Sequence, residues 1–140
     1  MILSLMLASV INIFAVESPS YSKEMVAAAR ELTARHPELH FTIRTTEQVV
    51  EMKPDELKQE IERASIVHLG RVYGDVASKI QDAFPARTSP KIVFAAHSDF
   101  GVYALSRFGS THPFAAITPE QVQQISSGTL DPAGIPALRR

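Results

Sequence analysis

The chain holds 140 residues, 45% of them hydrophobic and 21% charged, with 14 basic against 15 acidic side chains and a formal net charge of −1. That length and apolar content fit one folded domain and exclude a disordered chain. The balanced charge, with no cluster of Lys and Arg, leaves no field to attract nucleic acid or an anionic membrane. With no cysteine there are no disulfides, thiolate metal sites or thiol nucleophiles.

Met1 to Val16 is apolar apart from Ser4, Ser9 and Asn12. It is shorter than the ~20 residues of a membrane-spanning helix, so no stable membrane span is expected. A secretory signal carries a basic leading region, which these residues lack, so a cytoplasmic chain is expected. Export is the alternative if Met1–Ala15 is a signal segment. The domain limits expected are an apolar lead-in or signal remnant over 1–9, an α/β domain over 10–127, and an irregular tail over 128–140 that continues into missing sequence.

Val10–Val16 is β-branched and short, and is bounded by Glu17-Ser18-Pro19-Ser20, which predicts strand one and a polar loop. Met25, Ala28, Ala29 and Leu32 then share one face of a helix over Lys23–Arg35, with Ser22 as its N-cap and Pro37 past its end. Leu39, Phe41 and Ile43 alternate with His40, Thr42 and Arg44, the period of a strand at the sheet edge. Pro54, Asp55 and Glu56 open a helix whose inner face is Leu57, Ile61 and Ala64.

Ile66–Leu69 and Ile92–Ala96 are continuous apolar runs, as in parallel strands covered by helices on both sides. Between them Val76, Ala77, Ile80, Ala83 and Phe84 mark a helix, and Ser89-Pro90 a turn. A short helix over Phe100–Phe108 is expected to end at Gly109, and Thr118-Pro119-Glu120-Gln121 is a capping-box start for a helix stopping near Ser127-Gly128. The alternation predicts a three-layer α/β domain around a mainly parallel sheet of four or slightly more strands, in the order 2-1-3-4, flavodoxin- or Rossmann-like.

In such sheets ligands bind beyond the carboxyl ends of the strands, where the strand order reverses. Three loops converge there: Ser18–Ser22, Gly70–Asp75 and His97–Gly101. The candidate binding residues are Ser18, Ser20, Tyr21 and Ser22, whose loop precedes a helix N-terminus, together with Arg71, Tyr73, His97 and Ser98. Against each stands a structural reading. Ser22 caps its helix, Ser98 or Asp99 caps the next, and Arg71 pairs with Asp75 on the surface.

His68, inside an apolar run, reads as a hydrogen-bonded core histidine. His97, Ser98 and Asp99 are adjacent in sequence, whereas catalytic triads meet in space, and a small hydrolase built on His97 and Asp99 lacks a positioned nucleophile. There is no Gly-x-Gly-x-x-Gly after a strand, no P-loop and no His-Glu-x-x-His, so dinucleotide, P-loop nucleotide and dedicated metal sites have no motif.

Ser18-Pro19-Ser20-Tyr21-Ser22-Lys23-Glu24-Met25, Arg44-Thr45-Thr46-Glu47-Gln48-Val49 and Val67-His68-Leu69-Gly70-Arg71-Val72-Tyr73-Gly74 together resemble the amino-terminal region of the cobaltochelatase large subunit, a family that includes the magnesium chelatase H subunit. The likeness spans about residues 10–125. It implies a tetrapyrrole substrate, a divalent metal to be inserted, and ATP hydrolysed on partner subunits, with the remainder of the large subunit as a further partner. Members are several times longer, so the resemblance implies a fragment or leading domain without insertion chemistry of its own; it carries no catalytic residue onto this chain. The alternative is an independent flavodoxin-like or receiver-like module that binds an anionic ligand at Ser18–Ser22.

Overall fold

Four parallel strands and one short antiparallel strand form a single sheet in the order β2-β1-β3-β4-β5. The computed structural model describes residues 9–84, 90, 92–109, 111–112 and 117–135. β1 is Ile11–Glu17, β2 Leu39–Thr45, β3 Ile66–Gly70, β4 Ile92–Ala96 and β5 Arg107–Phe108. The helices are α1 (Ser22–Arg35), α2 (Thr46–Glu51), α3 (Pro54–Arg63), α4 (Gly74–Ala83), α5 (Phe100–Tyr103) and α6 (Pro119–Ser126), with 3-10 turns at Pro19–Tyr21 and Pro132–Gly134. The expected α/β class and the 2-1-3-4 order are observed, extended by β5. The expectations for residues 1–8, for Ser89 in the Ser89-Pro90 turn and for the last five residues lie outside the described residues.

Register divides the strand residues between two faces. Phe14, Val16, Val67, Leu69, Val93 and Ala95 point one way and are buried with Val49, Leu57, Ile61, Ala77, Ile80 and Val102 of the helices, and with Met52 just past α2, in one core. Ile13, Ala15, Ile66, His68, Ile92, Phe94 and Phe108 point the other way. That face carries α1, which contacts β2 and buries Ala29. Beyond α1 it is thinly covered: Phe94 is 48% exposed and Phe108 50%. The apolar runs of β3 and β4 are therefore sealed on one side and partly open on the other, because a run of apolar residues states only that both faces tolerate burial.

Local chemistry explains the boundaries. Pro19 opens a 3-10 turn that runs directly into α1, so Tyr21, not Ser22, holds the N-cap position, without a side-chain cap bond. Ser22 instead donates its hydroxyl to the Pro19 carbonyl (3.0 Å). Unforeseen in sequence, α2 follows β2 at once through a capping box in which Thr45 and Gln48 satisfy each other's backbone N–H. Pro54 begins α3 and Thr118 with Gln121 boxes the start of α6, both as expected.

The helix expected over Phe100–Phe108 is shorter. α5 stops at Tyr103, and Arg107–Phe108 turns back as β5 to pair with β4. The open hydrogen-bonding edge of β4 takes those two residues, and Gly109, at φ 63°, turns the chain after a strand and not after a helix.

Candidate functional site

The crevice expected beyond the carboxyl ends of the strands is assembled around a residue the sequence reading left in a loop. Glu17 is the last residue of β1, and its side chain is 5% exposed. A buried carboxylate needs compensation. The Ser18 backbone N–H donates to Glu17 Oε1 at 2.9 Å, and Arg71 Nη1 donates to the same oxygen at 3.1 Å. Glu17 Oε2 lies 3.7 Å from His68 Nε2. Gly70 makes room for it: a Cβ there would sit 2.2 Å from Glu17 Oε2.

These contacts reassign several side chains. Arg71 pairs with Glu17, not with Asp75, and its guanidinium lies 3.6 Å from the centre of the Tyr21 ring. His68 is not sealed in the core: its side chain is 26% exposed beside Glu17, and its ring stacks on Phe94 at 5.8 Å. A row of planar groups, Tyr21, Arg71, Glu17, His68 and Phe94, therefore runs from the loop after β1 across β3 to the middle of β4.

The loops after β3 and β4 are laced together. Ser98 Oγ accepts from the Val72 N–H (3.1 Å) and donates to the Ala96 carbonyl (3.0 Å), which buries Ser98 as a bolt between the loops and takes it out of reach of a ligand. Asp99 occupies the N-cap position of α5 without capping it, and accepts instead from the Gly74 N–H at the start of α4 (2.7 Å). The Asp99 N–H donates to the Val72 carbonyl, and the Arg71 N–H to the Ala96 carbonyl.

The first residue after each of these strands, Arg71 at φ 53° and His97 at φ 49°, takes the left-handed conformation. That costs a non-glycine residue about 1 kcal/mol and is retained where surrounding bonds over-determine it. The His97 N–H donates to Tyr103 Oη at 2.7 Å, one such bond.

Of the predicted candidates, Tyr21, Arg71, Tyr73 and His97 lie on the loops at this end of the sheet, Tyr21 and Tyr73 being largely exposed. Ser18 and Ser20 form their own turn, with the Ser20 N–H donating to Ser18 Oγ at 3.4 Å, and Ser22 is spent on Pro19. Arg71 already carries a countercharge, so the site is a neutralised cluster with aromatic walls, not a net positive cradle. The residues missed in sequence are Glu17 and His68. The signal was an acid closing an apolar strand, with a glycine at the corresponding end of strand three.

Open volume lies away from this crevice. A groove of about 840 Å³ separates α1 from β2, lined by Val26, Ala29, Leu39, Phe41 and Ile43, and another of about 660 Å³ lies among α4, α5 and α6. Among the described residues no three His, Asp or Glu side chains converge on a metal-sized site, and no helix is long and apolar enough to cross a membrane. No protein-family model, curated protein or solved structure matches the chain.

Proposed function

We propose that this chain is the leading α/β module of a metal-chelatase-type large subunit, which helps to bind a tetrapyrrole or a partner subunit and does not insert metal alone. The observation that carries this reading is the neutralised, aromatic cluster at the reversal of strand order. Tyr21 lies against the Arg71 guanidinium, His68 lies beside Glu17 and stacks on Phe94, and Tyr73 is exposed on the loop after β3, a set of flat groups that suits a broad planar ligand better than a compact anion. The reading is supported by where the strings that carry the resemblance fall: Ser18–Met25 and Val67–Gly74 include the loops after β1 and β3, and Arg44–Val49 spans the β2–α2 junction.

In this reading Tyr73 and His97 meet the macrocycle, Glu17 and Arg71 hold the loops, and the metal and ATP steps fall to other parts of the assembly. A phosphate-binding module is the weaker alternative, because Ser18 and Ser22 hydroxyls are engaged in the turn and the Arg71 charge is matched.

Absorbance titration with a water-soluble porphyrin tests the proposal. Saturable binding with a Kd below roughly 100 μM, about 5.5 kcal/mol, is expected, weakened by Tyr73→Ala and His97→Ala. No saturation in that range, together with saturable binding of flavin mononucleotide or inorganic phosphate, would transfer the assignment to the anion-binding module. Absence of all three defeats both.

A further inference from the structure

We infer that β2 is a self-association edge, through which two copies of this chain pair antiparallel about a two-fold axis at Phe41. The inference rests on neither the family nor the macrocycle reading. Among the described residues β2 is the outermost strand, and its seven residues match β1 one for one, so no bulge breaks its edge. Leu39–Thr45 also holds no proline or lysine, the residues that commonly block such an edge. At the opposite side of the sheet β5 is only two residues long, and its Phe108 exchanges backbone hydrogen bonds with Thr111.

The ladder with β1 decides which backbone groups of β2 face outward. The Ile11 N–H donates to the Glu38 carbonyl, and Ile11 stands beside Leu39 in a parallel register. His40, Thr42 and Arg44 therefore bond towards β1, while Phe41 and Ile43 turn their N–H and C=O groups, and Leu39 its C=O, away from it. The Leu39 N–H is taken by the His36 carbonyl and the Thr45 N–H by Gln48 Oε1. The outward groups of Phe41 and Ile43 have no partner among the described residues.

Charge selects the occupant and its register. Among the described residues no carboxylate lies within ion-pair distance of Arg44, and its Nε is enclosed without a hydrogen-bond partner. The residues outside the described set contain no Asp or Glu, so none of them supplies one. A two-fold axis at Phe41 does: it sets Glu38 of each copy opposite Arg44 of the other, at the non-hydrogen-bonded positions where side chains come closest. Glu38, 34% exposed and 3.6 Å from His36 Nδ1, stands at the surface. The same axis pairs Phe41 with Phe41 and Leu39 with Ile43 on the side of α1, where these three already line a groove of about 840 Å³. Each Phe41 N–H then donates to the partner copy's Phe41 carbonyl, and each Ile43 N–H to its Leu39 carbonyl. An axis moved to Thr42 would form as many bonds, yet it sets Arg44 against His40 and leaves it without an acid.

Analytical ultracentrifugation of the full chain should show a monomer–dimer equilibrium with a Kd of roughly 100 μM or tighter. In hydrogen exchange the Phe41 and Ile43 amides should slow as protein concentration rises, while the Thr42 amide, bonded to β1, should change far less. Glu38→Arg and Arg44→Glu should each weaken the dimer at least about tenfold, because each sets like charges opposite one another. Mixing the two variants in equal amounts should restore association, since in the mixed pair every arginine meets a glutamate. Unchanged circular dichroism checks that each variant folds, both side chains being partly exposed.

A chain that stays monomeric at about 500 μM overturns the inference. So does a dimer indifferent to both charge reversals, or a failure of the mixed variants to associate. Phe41 and Ile43 amides already protected in the dilute monomer would mean that the chain covers its own edge, and would equally defeat the two-fold pairing.

Discussion

The two faces of this sheet are built from the same strands and end in opposite states. Phe14, Val67, Leu69 and Val93 are at most 1% exposed beneath α2, α3, α4 and α5, whereas Phe94 and Phe108, one pleat away, keep about half their surface in water. Stability therefore resides on the first face, since apolar area removed from water is the dominant favourable contribution to folding. The second face contributes less, since Phe94 and Phe108 remain half exposed there. The Glu17 cluster sits where the two meet, at the end of β1 on the open side, and encloses a polar group there.

The contrast can be broken or sharpened by substitution, with urea unfolding as the common measurement. Phe14→Ala removes the largest side chain of the sealed face and should cost about 3–5 kcal/mol. If it costs under about 1 kcal/mol, the sealed face is not the seat of stability.

Gly70→Ala should cost about 2 kcal/mol, because the new methyl displaces the Glu17 carboxylate and with it the Arg71 ion pair. In a Glu17→Gln background the same change should cost measurably less, and equal costs in both backgrounds would disprove that cause.

Thr45→Ala breaks the capping box of α2, whose Val49 seals the packed face, and should lower stability by about 1 kcal/mol. Thr45→Ser, which keeps the hydroxyl, should recover most of it. Phe94→Ala should cost about 1 kcal/mol, well below Phe14→Ala, since about half of the ring stacked against His68 is already in water. A loss of about 3 kcal/mol there would mean that the open face is closed in solution.

Much of this was readable in the chain, for reasons that differ by element. The parallel order followed from the alternation of apolar runs with helical periods, and the edge position of β2 from the strict alternation of Leu39, Phe41 and Ile43. Pro54 and the Thr118–Gln121 box carry their own start signals, which is why α3 and α6 were found in place. Thr45 and Gln48 form the same kind of box, yet α2 is only six residues long and too brief to show a period.

Arg107–Phe108 has no pattern of its own to mark β5 as a strand. Its strand state comes from the edge of β4 beside it. Asp99 holds the expected N-cap position of the helix after β4, yet neither it nor Ser98 caps that helix through its side chain, because their side chains bond to Val72 and Gly74, more than twenty residues earlier.

What the sequence determined by itself was the local and periodic part: which segments become strands or helices, where most begin, and that β1 to β4 run parallel. The pairing of Glu17 with Arg71 across fifty-four positions, the exposure of His68 and the bareness of Phe94 were decided by the tertiary structure alone. The physical reason is that propensity and periodicity act within a few residues, whereas charge compensation and burial depend on which distant elements share a face, and register settles that only when the sheet forms.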